Sequence, residues 1–104
     1  MNRPANSLRG EASFNVAEQE FVLRPSFENL VAAEEELGSL FALVERASAG
    51  SLTLAEITGL LWHCLPFENR PARENVGAAV LEMGLVNAAK PVRVLLAQAL
   101  QGRA

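Results

Sequence analysis

The chain has 104 residues and a formal net charge of −3, and 50% of its residues are hydrophobic and 20% charged. This length fits one globular domain, and this composition is not that of a disordered chain. The nine Lys and Arg residues are scattered along the sequence, so we expect no basic patch for a nucleic-acid backbone. A single cysteine, Cys64, rules out an intramolecular disulfide and indicates a reducing compartment.

No targeting or membrane-spanning segment is apparent in the sequence. Residues 1–9 are polar, predict a flexible N-terminus and lack the apolar stretch of a signal peptide. The longest apolar run, Leu60 to Leu65, is interrupted by His63 and is far too short to cross a bilayer. We therefore expect a single domain over residues 10–104, located in the cytoplasm and without membrane contacts.

Two short alternating stretches predict an N-terminal β-hairpin over residues 10–24. Phe14 and Val16 share one face of the first stretch, and Phe21 and Leu23 share one face of the second. The three residues between them, Ala17-Glu18-Gln19, are few enough for a hairpin loop, although they lack the Asn-Gly or Gly-Gly pair that such turns favour. Because a lone hairpin is marginal in water, its apolar face is expected to pack on the rest of the chain.

The remainder, residues 26–101, is predicted to form helices. Their predicted first residues or N-caps are Ser26, Ser39, Thr53, Pro71 and Asn87. Their predicted ends are Gly38, Ala49, Cys64, Met83 and Gln101. Thr53 and Glu56 have the spacing of a capping box, and Pro91 is expected in the first two turns of the last helix. The predicted fold class is α+β, with a small N-terminal β-hairpin packed on a bundle of about five short helices.

The order of these segments resembles the small tail-assembly-chaperone-like proteins of gene transfer agents and related phages. The resemblance is carried by Arg9-Gly10-Glu11, Leu30 to Gly38, Leu40 to Arg46, Leu54 to Leu65 and Gly84 to Gly102. It implies a hairpin followed by helices, and a role in tail morphogenesis through association with the tape-measure protein and recruitment of tail-tube subunits. The same family is also described as a tail-tube protein of gene transfer agents, so chaperone and structural component are both open here.

The sequence offers no catalytic, cofactor-binding or metal site. With one His, one Cys and no Asp, it lacks the usual set of three or four converging metal ligands. His63 and Cys64 are adjacent, so on a helix they point about 100° apart, which disfavours a nucleophilic pair. The scattered glycines form no phosphate-binding loop. We therefore expect a non-enzymatic protein that needs no cofactor.

Glu34 is predicted to form a structural ion pair. Its helical phase puts it between Phe27 and Leu37, within the apolar stripe of the first helix. It also matches a glutamate of the family that the chain resembles, and Arg46 matches an arginine. Because a buried carboxylate needs a cation, we expect Glu34 to be partly buried and paired with Arg46 or, alternatively, with Arg24.

Trp62 lies off the apolar stripe of the third helix, and two interpretations are open. It packs against the hairpin or another helix, or it forms a partner-binding anchor together with Phe67, since exposed Trp is typical of interface hot spots.

We expect protein partners, tape-measure or tail-tube proteins, and the open hairpin edges also allow weak self-association. A generic interaction module and a structural tail component remain alternatives. An enzyme would have to bring Glu34, His63 and Arg46 around one pocket.

Overall fold

The computed structural model describes residues 12–102, which form a two-stranded antiparallel sheet followed by five helices. The strands and helices are β1 (Ala12–Val16), β2 (Gln19–Leu23), α1 (Phe27–Leu37), α2 (Leu40–Ser48), α3 (Leu54–His63), α4 (Arg73–Met83) and α5 (Leu85–Gln101). The predicted α+β fold class is confirmed. The segment predicted to be flexible, residues 1–9, lies outside the described residues.

The hairpin buries the face that its alternating pattern predicts. Phe14 is opposite Phe21, and Ala12 is opposite Leu23, in an antiparallel register. Phe14, Val16, Phe21 and Leu23 are all buried, because alternate residues of a strand point to the same side. Since β1 contacts α4 and α5, the helices supply the packing that an isolated hairpin lacks.

Helix α3 lies at the centre of the molecule and contacts α1, α4 and α5. Its buried residues are Ile57, Thr58, Gly59, Leu60, Leu61 and His63. The predicted capping box at its start is confirmed. The Thr53 Oγ1 accepts from the Glu56 N–H at 3.1 Å, and Glu56 Oε1 accepts from the Thr53 N–H at 3.0 Å. Two backbone donors that the helix itself leaves unpaired are thus satisfied.

The serine N-caps predicted for α1 and α2 are also confirmed. The Ser26 Oγ accepts from the Asn29 N–H at 3.2 Å, and the Ser39 Oγ accepts from the Ala42 N–H at 3.0 Å. Pro91 is buried and lies within the first two turns of α5, as predicted. Short-range capping chemistry therefore sets where most of these helices begin.

Two helices begin at residues other than those predicted. Helix α4 starts at Arg73 rather than Pro71, because the Pro71 carbonyl accepts a hydrogen bond from the Trp62 indole at 3.0 Å and the chain is not yet helical there. Helix α5 starts at Leu85, two residues before Asn87, since it follows directly on the turn at the end of α4. Glycine at position 84 adopts a φ of 92°, a value that side-chain-bearing residues rarely take.

The hairpin turn is shorter than predicted and is strained. Gln19 belongs to β2 and pairs with Val16, so only Ala17 and Glu18 remain in the turn. Their φ angles are 51° and 67°, as in the type I′ turn that matches the twist of a hairpin. Non-glycine residues in this left-handed region each cost about 1–2 kcal/mol.

We expect the double substitution Ala17→Asn and Glu18→Gly to raise the free energy of unfolding by about 1 kcal/mol, because Asn-Gly adopts this turn with less strain. Urea denaturation followed by circular dichroism measures the change. Glu18→Gln is the control, since it removes the charge but keeps the β-carbon. An equal gain from the control would show that charge, and not backbone strain, is responsible.

Candidate protein-binding surfaces

Side chains from three helices and a connector meet at the C-terminal end of α3, and we call them the Trp62 cluster: Glu36, Trp62, His63, Phe67, Arg70 and Arg73. The Trp62 indole N–H donates to a backbone carbonyl in the connector. The guanidinium carbons of Arg70 and Arg73 lie 4.6 and 4.4 Å from the centre of the Trp62 ring. These are cation–π distances, so the ring holds the connector and the start of α4 against α3.

Glu36 links α1 to the other helices of the cluster. Its carboxylate accepts two hydrogen bonds from Arg73, at 2.5 and 2.9 Å, and lies 2.7 Å from the Nε2 of His63. The Arg73 guanidinium, aided by His63, lowers the pKa of Glu36 to about 2, more than offsetting the opposite effect of burial. A bidentate arginine–carboxylate contact also fixes the relative orientation of its two helices.

Arg70 hydrogen-bonds to carbonyl groups at the C-terminal end of α3. One of its terminal nitrogens donates to the carbonyls of His63 and Leu65, at 3.2 and 3.0 Å. Carbonyls at a helix C-terminus have no partner within the helix, and a cation there is favourable to the helix dipole. Burial lowers the pKa of Arg70 from its ordinary value. The polar connector is therefore tied to α3 by its own arginine.

The cluster places the two residues predicted as a partner-binding anchor in different environments. Trp62 is partly buried and packs within the protein, whereas Phe67 is 83% exposed, 5.5 Å from the Arg70 guanidinium. Their joint role as an anchor stays a prediction. The surrounding polar partners, Glu36 and Arg70, were not found from the sequence, because neither shows its role in local spacing.

The ion pair predicted between Glu34 and Arg46 requires correction. Glu34 is exposed, and its Oε2 accepts a hydrogen bond from the Leu40 N–H at 2.9 Å. Arg46 instead lies 2.6 Å from the carboxylate of Glu56. The helical phase misplaced Glu34 because one of its supposed buried neighbours, Phe27, is itself 83% exposed. Pairing of Glu34 with Arg24 stays a prediction.

The side chains that could take part in catalysis have separate partners or are buried. Glu34, His63 and Arg46, which an enzyme would have to bring together, have three different hydrogen-bonding partners. Burial raises the pKa of the Cys64 thiol to about 12. Within residues 12–102, no three His, Cys, Asp or Glu residues are grouped as metal ligands would be.

A continuous apolar groove follows the seam between α2 and α5, and we call it the α2–α5 groove. It consists of three adjoining hollows. Val44, Leu96 and Leu100 line both the first and the second hollow, while Ala47 and Arg93 line both the second and the third. Because the hollows share walls, they form one surface.

Large apolar side chains along this groove are left in water. Phe41 is 71% exposed at one end, and Val86 is 78% exposed at the other. Leu85 and Leu100, which also line the groove, are nearly half exposed. A contiguous exposed apolar surface on a small protein is characteristic of an interaction site. The sequence does not predict this groove, because the groove forms between two helices that are distant in the chain.

An exposed apolar groove beside a closed core is a candidate protein-binding surface. The particular family is given by sequence: the family model described as Phage tail tube protein, GTA-gp10, matches residues 9–102. The chain belongs to this family, and the predicted relationship to gene-transfer-agent tail proteins is confirmed. Neither the comparison with curated proteins nor the comparison with solved structures found a match.

None of the helices in the described part of the chain combines the length and apolar content needed to span a bilayer.

We expect Glu36→Gln to reduce stability at neutral pH and to flatten the acid limb of the stability curve. The folded pKa of Glu36, about 2, lies below its ordinary value of 4.5. Its contribution is therefore complete above pH 4.5 and is lost as the pH falls towards 2. Urea unfolding measured from pH 7 to pH 2 gives the two curves.

The matched control is Glu35→Gln, at the exposed neighbouring position. It should leave the pH dependence close to that of the wild type. Parallel curves for wild type and Glu36→Gln would contradict a stabilising role for the contacts of Glu36 with Arg73 and His63.

Proposed function

We propose that this protein is a tail assembly chaperone, which binds other tail proteins during assembly and catalyses no reaction. The observation that carries this proposal is the α2–α5 groove, an apolar concave surface left open to solvent. A concave apolar surface suits a segment of another protein, which would cover Phe41, Leu100 and Val86 on binding. Membership of a tail protein family supplies the context.

The partners we propose are the tape-measure protein and the tail-tube subunits. Covering an apolar segment of either partner would remove that segment from water until assembly begins. A binding protein of this kind needs one accessible surface and a stable fold of its own. The buried core around α3 is consistent with the second requirement.

The second candidate is a structural component of the tail. The description of the family as a tail tube protein favours it. So do Leu54 and Leu81, which are exposed on α3 and α4 and do not line the α2–α5 groove. A subunit that polymerises head to tail needs two different contact surfaces, and these residues offer a second one.

Co-expression with the tape-measure protein of the same gene cluster distinguishes the candidates. For a chaperone, we expect a soluble complex on size-exclusion chromatography with light scattering, and an insoluble tape-measure protein when it is expressed alone. Rings or tubes formed by this protein alone, with no complex, would favour the structural candidate. A plain monomer without a complex would contradict both.

We expect Phe41→Gln to weaken that complex about tenfold, since a buried aromatic side chain is a common source of interface energy. Phe27→Gln is the matched control. Phe27 is likewise in the first turn of a helix and highly exposed, but it does not line the groove. Both substitutions should leave the thermal midpoint nearly unchanged, and equal loss of binding in the two variants would exclude the groove as the binding surface.

A further inference from the structure

We propose that the α2–α5 groove binds one amphipathic helix of a tail protein, apolar on one face and with an acidic residue near its centre. This inference rests on the proposed function and specifies the chemistry of the segment that is bound. It is drawn from the length of the groove, the nature of its walls and the position of its charges.

The groove has the length of a short helix. Its wall on α5 extends from Leu85 to Leu100, which is roughly 23 Å at a rise of about 1.5 Å per residue. A partner helix of about four turns would cover this distance. Its apolar residues at every third or fourth position would meet the three hollows in succession.

The walls favour a helix over an extended strand. They are formed largely by side chains of α2 and α5, whose backbone groups are already bonded within their own helices. A strand laid into the groove would find no sheet edge with which to pair, and its own N–H and C=O groups would lose water without replacement. A helix satisfies its backbone internally, so it can enter an apolar groove without that cost.

The charge at the middle of the groove specifies the partner further. Arg93 is exposed where the second and third hollows meet. The Arg93 side chain forms no hydrogen bond or ion pair with any residue of the described range, 12–102. An acidic residue at the centre of the incoming helix would face this guanidinium. Such complementarity sets register and orientation more than it sets affinity.

A two-fold symmetric dimer of this protein does not fit the groove well. In a two-fold symmetric contact, residues near the axis meet their own copies. With Arg93 at the middle of the groove, two like charges would then face each other in an apolar surface, which is unfavourable.

The test uses overlapping 20-residue peptides that cover the tape-measure and tail-tube proteins of the same gene cluster. They are titrated against the full-length protein by fluorescence anisotropy. We expect the peptides that bind to show helical apolar spacing with a central Glu or Asp. Arg93→Glu should weaken the tightest of them about fivefold, and replacing the central acidic residue of that peptide by Lys should restore its binding to this variant.

Lys90→Glu is the matched control, because it makes the same charge reversal one turn away on α5, outside the hollows. Equal weakening by both variants, absence of restoration, bound peptides without the helical pattern, or no bound peptide at all would each overturn the inference. A soluble complex of the full-length proteins alongside any of these results would leave the chaperone function standing. If peptides bind as expected but the full-length proteins form no complex, the inference about the groove stands and the chaperone function is contradicted.

Discussion

Helix α3 is apolar on almost every side, and a helix of that kind is stable only when other elements surround it. Leu60 and Leu61 are inaccessible to water, and α1, α4 and α5 supply the necessary neighbours. The approach of α1 is close: a β-carbon at Gly59 would lie 3.0 Å from the Leu37 side chain. The polar C-terminal end of α3 also has partners. Glu36 hydrogen-bonds to the ring of His63, the last residue of α3, and Arg70 of the connector donates to the His63 carbonyl.

Because α1, α4 and α5 are used to enclose α3, helix α2 is left to pack chiefly on α5. Its apolar face is broader than the contact with one neighbour, so part of that face stays in water. The α2–α5 groove follows from this arrangement. The fold thus divides its apolar residues between a closed interior and an open seam, and the same helix, α5, contributes Leu95 to the first and Leu100 to the second.

Interactions between near neighbours in the chain were predictable from the sequence, and those between distant segments were not. The caps at Ser26, Ser39 and Thr53 depend on residues three positions away, and all were recognised. Glu34 was expected to be partly buried, because helical phase identifies an apolar stripe but not how much of that stripe other elements cover. The contact of Glu36 with α4 joins residues 37 positions apart, and no local pattern reveals it.

The reactivity of Cys64 reports whether the protein is folded. It is the only thiol in the chain, it is inaccessible to solvent, and burial raises its pKa to about 12. The thiolate is the reactive form of cysteine. Because Cys64 is almost entirely protonated while the fold is intact, alkylating reagents react with it very slowly. Opening of the interior exposes the sulfur and restores ordinary reactivity. Covalent labelling of one native residue therefore records how often the α3 region opens, in purified protein or in a cell extract, without an added probe site.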